Sequence, residues 1–408
     1  MHSFTEFNKT KSLPAIFYFS LIWISGFFYF PTGQLHNQAY ILLFVIPSVW
    51  LLATSTIAFK PFLKSKLFCL AAAFCTYYVI STFWGTYADI SLQISEFKRV
   101  IYLYFFWLII FITYYLDDKK LATLGKTIIA FALFGLFINL IFFVYFSQHA
   151  ADARFYGFGR LRNELWVAAL FGAMAIFSLT LSFHILTRKK YLYLLLFGIF
   201  FAATLLTHSR GPILSMTAVS FLVVFTSKIH LKFKLLITVF AALLALVPFV
   251  FQAHFIQSDI SRGQSYRLDL WLGFLELTKN HLIFGQGAGT NVYIDEPGKF
   301  VDGWSHYHNV YLGSLVEMGF VGLIFHLSLV FFTIIVGWRY RNNLAPNIAL
   351  MVFIFSSLIG ITYGQGVITR MNAQWIVFWL PLAVIIMWDM KRLNIEKFSL
   401  HSKNTNGV

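Results

Sequence analysis

The chain has 408 residues, of which 59% are hydrophobic, 20% aromatic and only 12% charged, and its mean hydropathy is +0.73. A soluble protein of this size cannot clothe itself in so few polar side chains, which excludes a soluble globular domain, and the composition equally excludes disordered, collagen-like and disulfide-scaffold chains. A polytopic membrane protein remains, and its formal charge of +15 belongs to loops at anionic head groups or phosphates rather than to nucleic acid.

Apolar runs near the ~20 residues that cross a bilayer recur along the chain. The first, 14–30, has no small-residue cleavage site and is followed by Pro31-Thr32-Gly33, so it is expected to stay as a spanning helix. Further spans are expected at 39–59, 67–83, 100–116, 123–146, 165–186, 191–207, 212–226, 235–251, 310–337, 347–364 and 373–388. That makes twelve, in a single all-α integral membrane domain over 1–408 without internal repeat or separate soluble domain. Cys69 and Cys75 lie in one apolar run and form neither a disulfide framework nor a metal-ligand spacing.

Basic residues set the orientation. With the N-terminus in the cytoplasm, both termini are cytoplasmic, and 20 of the 31 basic residues fall on that side. The cytoplasmic set is 16 Lys and 4 Arg, whereas the outer set is 3 Lys and 8 Arg, among them Arg99, Arg154, Arg160, Arg162, Arg210, Arg262, Arg267 and Arg370. Lysine suffices as a topology anchor, but arginine recognises phosphate in a fixed bidentate geometry. Arginines gathered on the face where topology disfavours them point to an anionic ligand; the alternative is pairing with Asp152, Glu164, Asp259 or Asp269.

The longest stretch between spans, 252–309, is expected on the outer side. Within it, 265–279 predicts a helix with Leu268, Trp271, Leu272 and Leu275 on one face, lying in the membrane interface rather than crossing it. The turn Gly285-Gln286-Gly287-Ala288-Gly289 follows; it comes after no strand and opens no helix, so it is not a dinucleotide fingerprint.

Ser305-His306-Tyr307-His308-Asn309 opens the span at 310. An imidazole at the membrane surface is a candidate general base near neutral pH, or else part of a helix-capping turn. Arg210 sits in a very short outer hairpin, and Arg267 begins the interfacial helix. Two arginines at membrane level beside a histidine suit a lipid diphosphate: the guanidiniums meet the charge that develops on the leaving group, and the histidine takes the proton of an incoming hydroxyl. Arg210 otherwise reads as a snorkelling anchor. Glu317 either orients the histidine or bonds a neighbouring helix, and His306 is an alternative base. No Asp-x-Asp motif or outer pair of carboxylates has metal spacing, so no metal and no cofactor are expected.

His308-Asn309, nine residues, Gly319, two residues and Gly322 match H-[N/S/Q]-x9-G-x-x-[G/T/Y]. With the order Arg210, Arg267, His308 and the Gly285-Gln286-Gly287 turn, the chain resembles the O-antigen ligase (WaaL) and O-antigen polymerase (Wzy) superfamily, most directly over about 200–340. The resemblance implies a GT-C-type glycosyltransferase of the bacterial inner membrane. It would move O-antigen polysaccharide from undecaprenyl diphosphate to the lipid A core oligosaccharide on the periplasmic side, with inversion and without metal. His308 would be the base and Arg210 and Arg267 would hold the diphosphate, with Asn309 completing the motif. Arg154, Arg160, Arg162 and Arg370 are either sites for acidic sugars or the phosphorylated core, or surface anchors. The implied partners are the undecaprenyl-diphosphate-linked glycan donor, the lipid A core acceptor and membrane lipids. Two alternatives stay open: a polymerase that lengthens glycan on the carrier lipid, and a lipid-linked oligosaccharide transporter. A transporter places charge near the bilayer midplane and often shows inverted repeats, whereas the expected spans hold almost no charge except Glu317.

Overall fold

The computed structural model describes residues 13–54, 62–85, 89–115, 117–146, 154–227, 232, 234–235, 239, 267–290, 306–364 and 366–405. Every regular element among them is helical. In chain order these are α1 (Leu13–Ser25), α2 (Gly33–Thr54, with a π turn at Ile41–Val45), α3 (Lys66–Ser81), α4 (Ile90–Tyr114), α5 (Asp118–Phe146), α6 (Glu164–His184), α7 (Lys189–Leu205), α8 (Arg210–Thr226), α9 (Arg267–Thr278), α10 (Val310–Arg339), α11 (Leu344–Ile359) and α12 (Leu380–Thr405, after a π turn at Trp375–Trp379).

Six helices, α2 to α6 and α10, are long and apolar enough to cross a membrane on their own, and α1, α8 and α11 are shorter apolar helices. The chain is therefore a polytopic helical membrane protein. Eleven of the twelve expected spans coincide with a helix; the one at 235–251 lies outside the described residues apart from 235 and 239.

Short polar side chains set the helix starts. Thr32, Ser65, Asp89, Asn163 and Asn309 each accept a hydrogen bond from an amide of the first turn, satisfying donors that a helix N-terminus leaves without internal partners. The Asp89 cap corrects one expectation. Its Oδ1 accepts the Leu92 amide at 2.6 Å, so α4 begins ten residues before the apolar run. Glu96, Lys98 and Arg99 thus lie inside a spanning helix, and Glu317 is not the one charged residue there.

The bundle is built around α6, which packs against α7, α8 and α11. Its buried face carries Ala168, Ala169, Gly172, Ala173 and Ala175, small residues that let helices approach closely. At Gly172 a Cβ would stand 2.6 Å from the Phe355 ring of α11. Trp23, Trp107 and Trp379 are fully buried in the main core.

The helix expected at the interface forms as α9, and it also buries a second face that the predicted stripe does not include. α9 packs Leu270 and Phe274 with Tyr307, Leu312, Leu315 and Val316 of the next segment. Leu268, Leu272 and Leu275 stay exposed, and only Trp271 of the predicted stripe packs partly inward. α9 is apolar on two sides: one seals it to α10, and the other is available to the membrane interface.

Candidate active site

Three segments meet at one end of the bundle, where α7 turns into α8, α9 begins and α10 begins. The turn after α7 runs through Leu206, Thr207 and His208, with Ser209 as the residue preceding α8 and Arg210 as its first residue, exposed. The Phe155 amide donates to the Leu206 carbonyl at 2.9 Å, so the loop carrying Arg154 lies against this turn. A Cβ on Gly211 would collide with Thr362. The Gly360 carbonyl accepts the Val310 amide at 2.9 Å. The turn at 360–364 is therefore wedged between the Arg210 hairpin and the first residue after Asn309.

α9 delivers Arg267 to the same place. The Trp271 indole N–H donates to the Tyr307 carbonyl at 3.0 Å, and the Phe274 and Tyr307 rings meet edge to face with centroids 4.6 Å apart. Arg267 is partly buried, which lowers its pKa, and the neighbouring charge of Arg154 acts in the same direction. Arg154 also reaches the Glu164 carboxylate at 3.6 Å.

His306 and His308 face each other, ring centroids 4.2 Å apart, and the His308 amide donates to His306 Nδ1 at 3.1 Å. His308 has φ +50° and His208 φ +52°, and no other non-glycine residue among the described residues is left-handed. Such backbone is sparsely populated and recurs where surrounding packing fixes a functional geometry. Asn309 closes the turn, its Oδ1 accepting the amides of Tyr311 and Leu312 at 2.9 and 3.1 Å. Burial, then the proximity of His306, then the charge of Arg267 push the His308 pKa down to about 4. Burial likewise lowers His306, while burial and Arg154 lower His208. The imidazoles are thus held neutral in a positive field. A neutral imidazole has a lone pair to accept a proton, and a field built by Arg154 and Arg267 attracts an anion.

Beneath this surface α10 is broken. Gly319 has φ +67° and ψ −167° inside the helix, and the glycine turn fills the break. The Gln286 and Gly287 amides donate to the carbonyls of Val316 and Glu317, each at 2.8 Å. The Phe320 and Val321 amides donate back to the carbonyls of Leu282 and Ile283 at 2.7 and 3.2 Å. Tyr77 Oη donates to the Met318 carbonyl at 3.1 Å. The backbone groups released by the break are thereby satisfied within the protein, as depth in a membrane requires. A Cβ at Gly319 would collide with Ile283, and one at Gly322 with Met318. The close approach of the turn explains Gly319, while at Gly322 the space is taken by the Met318 side chain of the same helix.

The break also sets Glu317 in a polar network that sequence reasoning missed. Glu96 of α4 is fully buried; its Oε2 accepts Tyr78 Oη at 2.7 Å and pairs with Arg99 at 2.5 Å. Glu317 lies within electrostatic reach of Glu96 and Arg99, as does Arg370 of Glu96. The available signal was Glu96-x-x-Arg99, an acid and a base one turn apart at the edge of an apolar run.

The remaining arginines separate. Arg160 is buried and donates to His36 Nδ1 at 3.2 Å, the Met371 carbonyl at 2.5 Å and Asn37. It clasps the start of α2 to the segment before α12, and burial pulls its pKa down to about 10. Arg162 and Arg370 are exposed. Ser305 lies outside the described residues. Among the described residues no three His, Cys, Asp or Glu side chains gather in a way that would hold a metal ion.

The fold and this end of it define a helical membrane protein with arginines and neutral histidines at one face. Residues 195–327, from α7 through the α10 break, match the family model for the O-antigen ligase. Over 383 residues the chain is 25% identical to the O-antigen ligase of Pseudomonas aeruginosa (strain ATCC 15692, PAO1), covering 90% of this chain and 89% of that one. The chain is thus similar to an O-antigen ligase along most of its length, and to the O-antigen ligase family model over 195–327.

Proposed function

We propose that this protein is an O-antigen ligase that transfers O-antigen polysaccharide from undecaprenyl diphosphate to the lipid A core oligosaccharide. In this reading it is a GT-C-type enzyme with twelve crossings in the inner membrane, both termini cytoplasmic and the His308 end periplasmic; the excess of lysine at the opposite end supports that orientation. Arg210 and Arg267 hold the diphosphate, with Arg154 adding to the positive field. His308 removes the proton from the acceptor hydroxyl as that oxygen attacks the anomeric carbon. The bond to the diphosphate breaks, the configuration inverts, and the arginines rather than a metal meet the developing negative charge. A bound diphosphate offsets the charge of Arg267, so His308 becomes more basic once the donor is seated.

The observation that carries this reading is the convergence of Arg267 and His308, brought together by the seal between α9 and Tyr307 within the family-matched segment. The test is transfer by purified protein from glycan-linked undecaprenyl diphosphate to lipid A core, with chelator present. Glycan on lipid A from wild type but not from His308→Ala supports the ligase. Glycan lengthened on the carrier lipid makes the protein a polymerase, and absence of transfer by wild type overturns the enzymatic reading.

A further inference from the structure

The end of the bundle opposite His308 contains a cavity of about 460 Å³, within the range of small-molecule sites. Leu124 and Ile128 of α5, Met174 of α6, Val352 of α11 and Leu380 of α12 are among its apolar walls. Its depth reaches Ile376, and its mouth holds Lys126, Tyr193, Asn343 and Trp388. Water is a poor occupant, because a buried water needs two to four polar partners and these walls offer none. Left empty, the walls lose dispersion contacts on one side. In a bilayer the apolar molecule always at hand is an acyl chain.

The mouth carries its own chemistry. The Trp388 indole N–H is buried and has no hydrogen-bond partner among the described residues. Lys126 is exposed and pairs with no described acid, whereas Asp118 at the same rim is taken by Lys391 at 2.6 Å. Lys120 is within 3.9 Å of Asp117, Lys189, Lys190 and Arg339 belong to helix ends on this side, and Arg341 to the turn after α10. The surplus is positive. An N–H donor and an ammonium above an apolar shaft match the ester and phosphate oxygens above an acyl chain, and interfacial Tyr193 and Trp388 suit that depth.

We propose that this cavity is a binding site for one anionic phospholipid of the surrounding leaflet, with an acyl chain between α5, α11 and α12 and the phosphate at Lys126 and Trp388. The site lies apart from the His308 end and does not depend on the transferase reading.

The experiment is native mass spectrometry of protein purified in mild detergent and equilibrated with mixed vesicles of phosphatidylglycerol and phosphatidylethanolamine. Wild type is expected to retain one phosphatidylglycerol in preference to phosphatidylethanolamine. Ala345→Trp, which fills the cavity from its lining, is expected to lower retention at least about tenfold, and Lys126→Gln to reduce the headgroup preference about fivefold while a lipid is still retained. Equal retention by Ala345→Trp and wild type overturns the cavity as the site. Wild type without headgroup preference, or Lys126→Gln with an unchanged one, overturns the anionic occupant. The two variants perturb different groups, and size-exclusion profiles matching wild type establish that each is folded.

Discussion

The indole of Trp271 donates to the carbonyl of Tyr307 at 3.0 Å, so the helix that begins with Arg267 is fixed to the residue before His308. One hydrogen bond thus sets the register between the proposed phosphate ligand and the proposed base. Trp271→Phe keeps an aromatic ring against the cluster around Phe274 and Tyr307 and removes only the donor. It should lower transfer about fivefold, the ~1 kcal/mol of a neutral hydrogen bond, with protein yield unchanged. Tyr307→Phe supplies the contrast. The Tyr307 hydroxyl is buried without a hydrogen-bond partner among the described residues, so its removal should leave transfer intact and raise Tm slightly. Steady-state rates and melting curves of the two variants check both outcomes.

The motif glycines give a second expectation. Gly319→Ala must place a Cβ against Ile283 at φ +67°, a conformation that costs a non-glycine residue ~1–3 kcal/mol before the collision is counted. It should unseat the 285–289 turn and abolish folded protein. Gly198 lies inside α7, and a methyl group added there would meet nothing within 4 Å; Gly198→Ala should raise stability by ~0.5–1 kcal/mol, the usual helical gain. Yield and thermal denaturation of the two alanine variants, measured side by side, decide between them.

How far these features were legible in the sequence follows from what each depends on. Spanning helices rest on uninterrupted apolar runs, so their positions were readable; the start of α4 was not, because Glu96, Lys98 and Arg99 look like loop until the Asp89 cap and the Glu96–Arg99 pair are seen together. Arg210, Arg267 and His308 stood out as charged or titratable groups beside apolar segments. Arg160 looked the same in sequence, yet its guanidinium is spent on His36, Asn37 and Met371, partners more than a hundred residues away. Periodicity placed an apolar stripe on α9 but could not say which of two apolar sides meets Tyr307. Gly319 appeared in the sequence as a motif position inside an apolar run, and nothing local showed that it breaks its own helix to admit a loop.

The pH dependence tests the electrostatics at His308. With its pKa at about 4 the residue is neutral at pH 7, and kcat/KM for the donor should stay level on acidification until the pH approaches that value. Arg267→Gln removes one of the charges that depress the pKa, so the acid limb should move to higher pH as well as the rate falling. The same shift acts on stability. Between the ordinary histidine value near ~6.5 and about 4, the unfolded chain binds a proton that the folded chain refuses, so stability is lost as pH falls through this window. Rate profiles of wild type and Arg267→Gln check the first effect; an acid limb unmoved by the substitution would rule out the coupling.

Glu96 and Arg99 make the last case, because a buried ion pair and a buried lone charge behave differently. Glu96→Ala leaves the Arg99 guanidinium without the carboxylate it meets at 2.5 Å and removes the nearer acceptor of Tyr78, leaving the Ile368 carbonyl at 3.3 Å. Breaking a buried pair from one side costs ~3–5 kcal/mol, although Arg99 retains some exposure and the loss should fall toward the lower end. Glu96→Gln keeps an acceptor for Tyr78 and should cost less. Arg99→Met alone strands the carboxylate, but Glu96→Gln combined with Arg99→Met removes both charges and should recover much of the stability that either single change loses. If instead the double variant is as unstable as the sum of the singles, the pair is not coupled. Transfer activity of the folded double variant then separates packing from chemistry: a network that only seats the 285–289 turn leaves activity near wild type, whereas one that orients the reacting groups lowers kcat while Tm is restored.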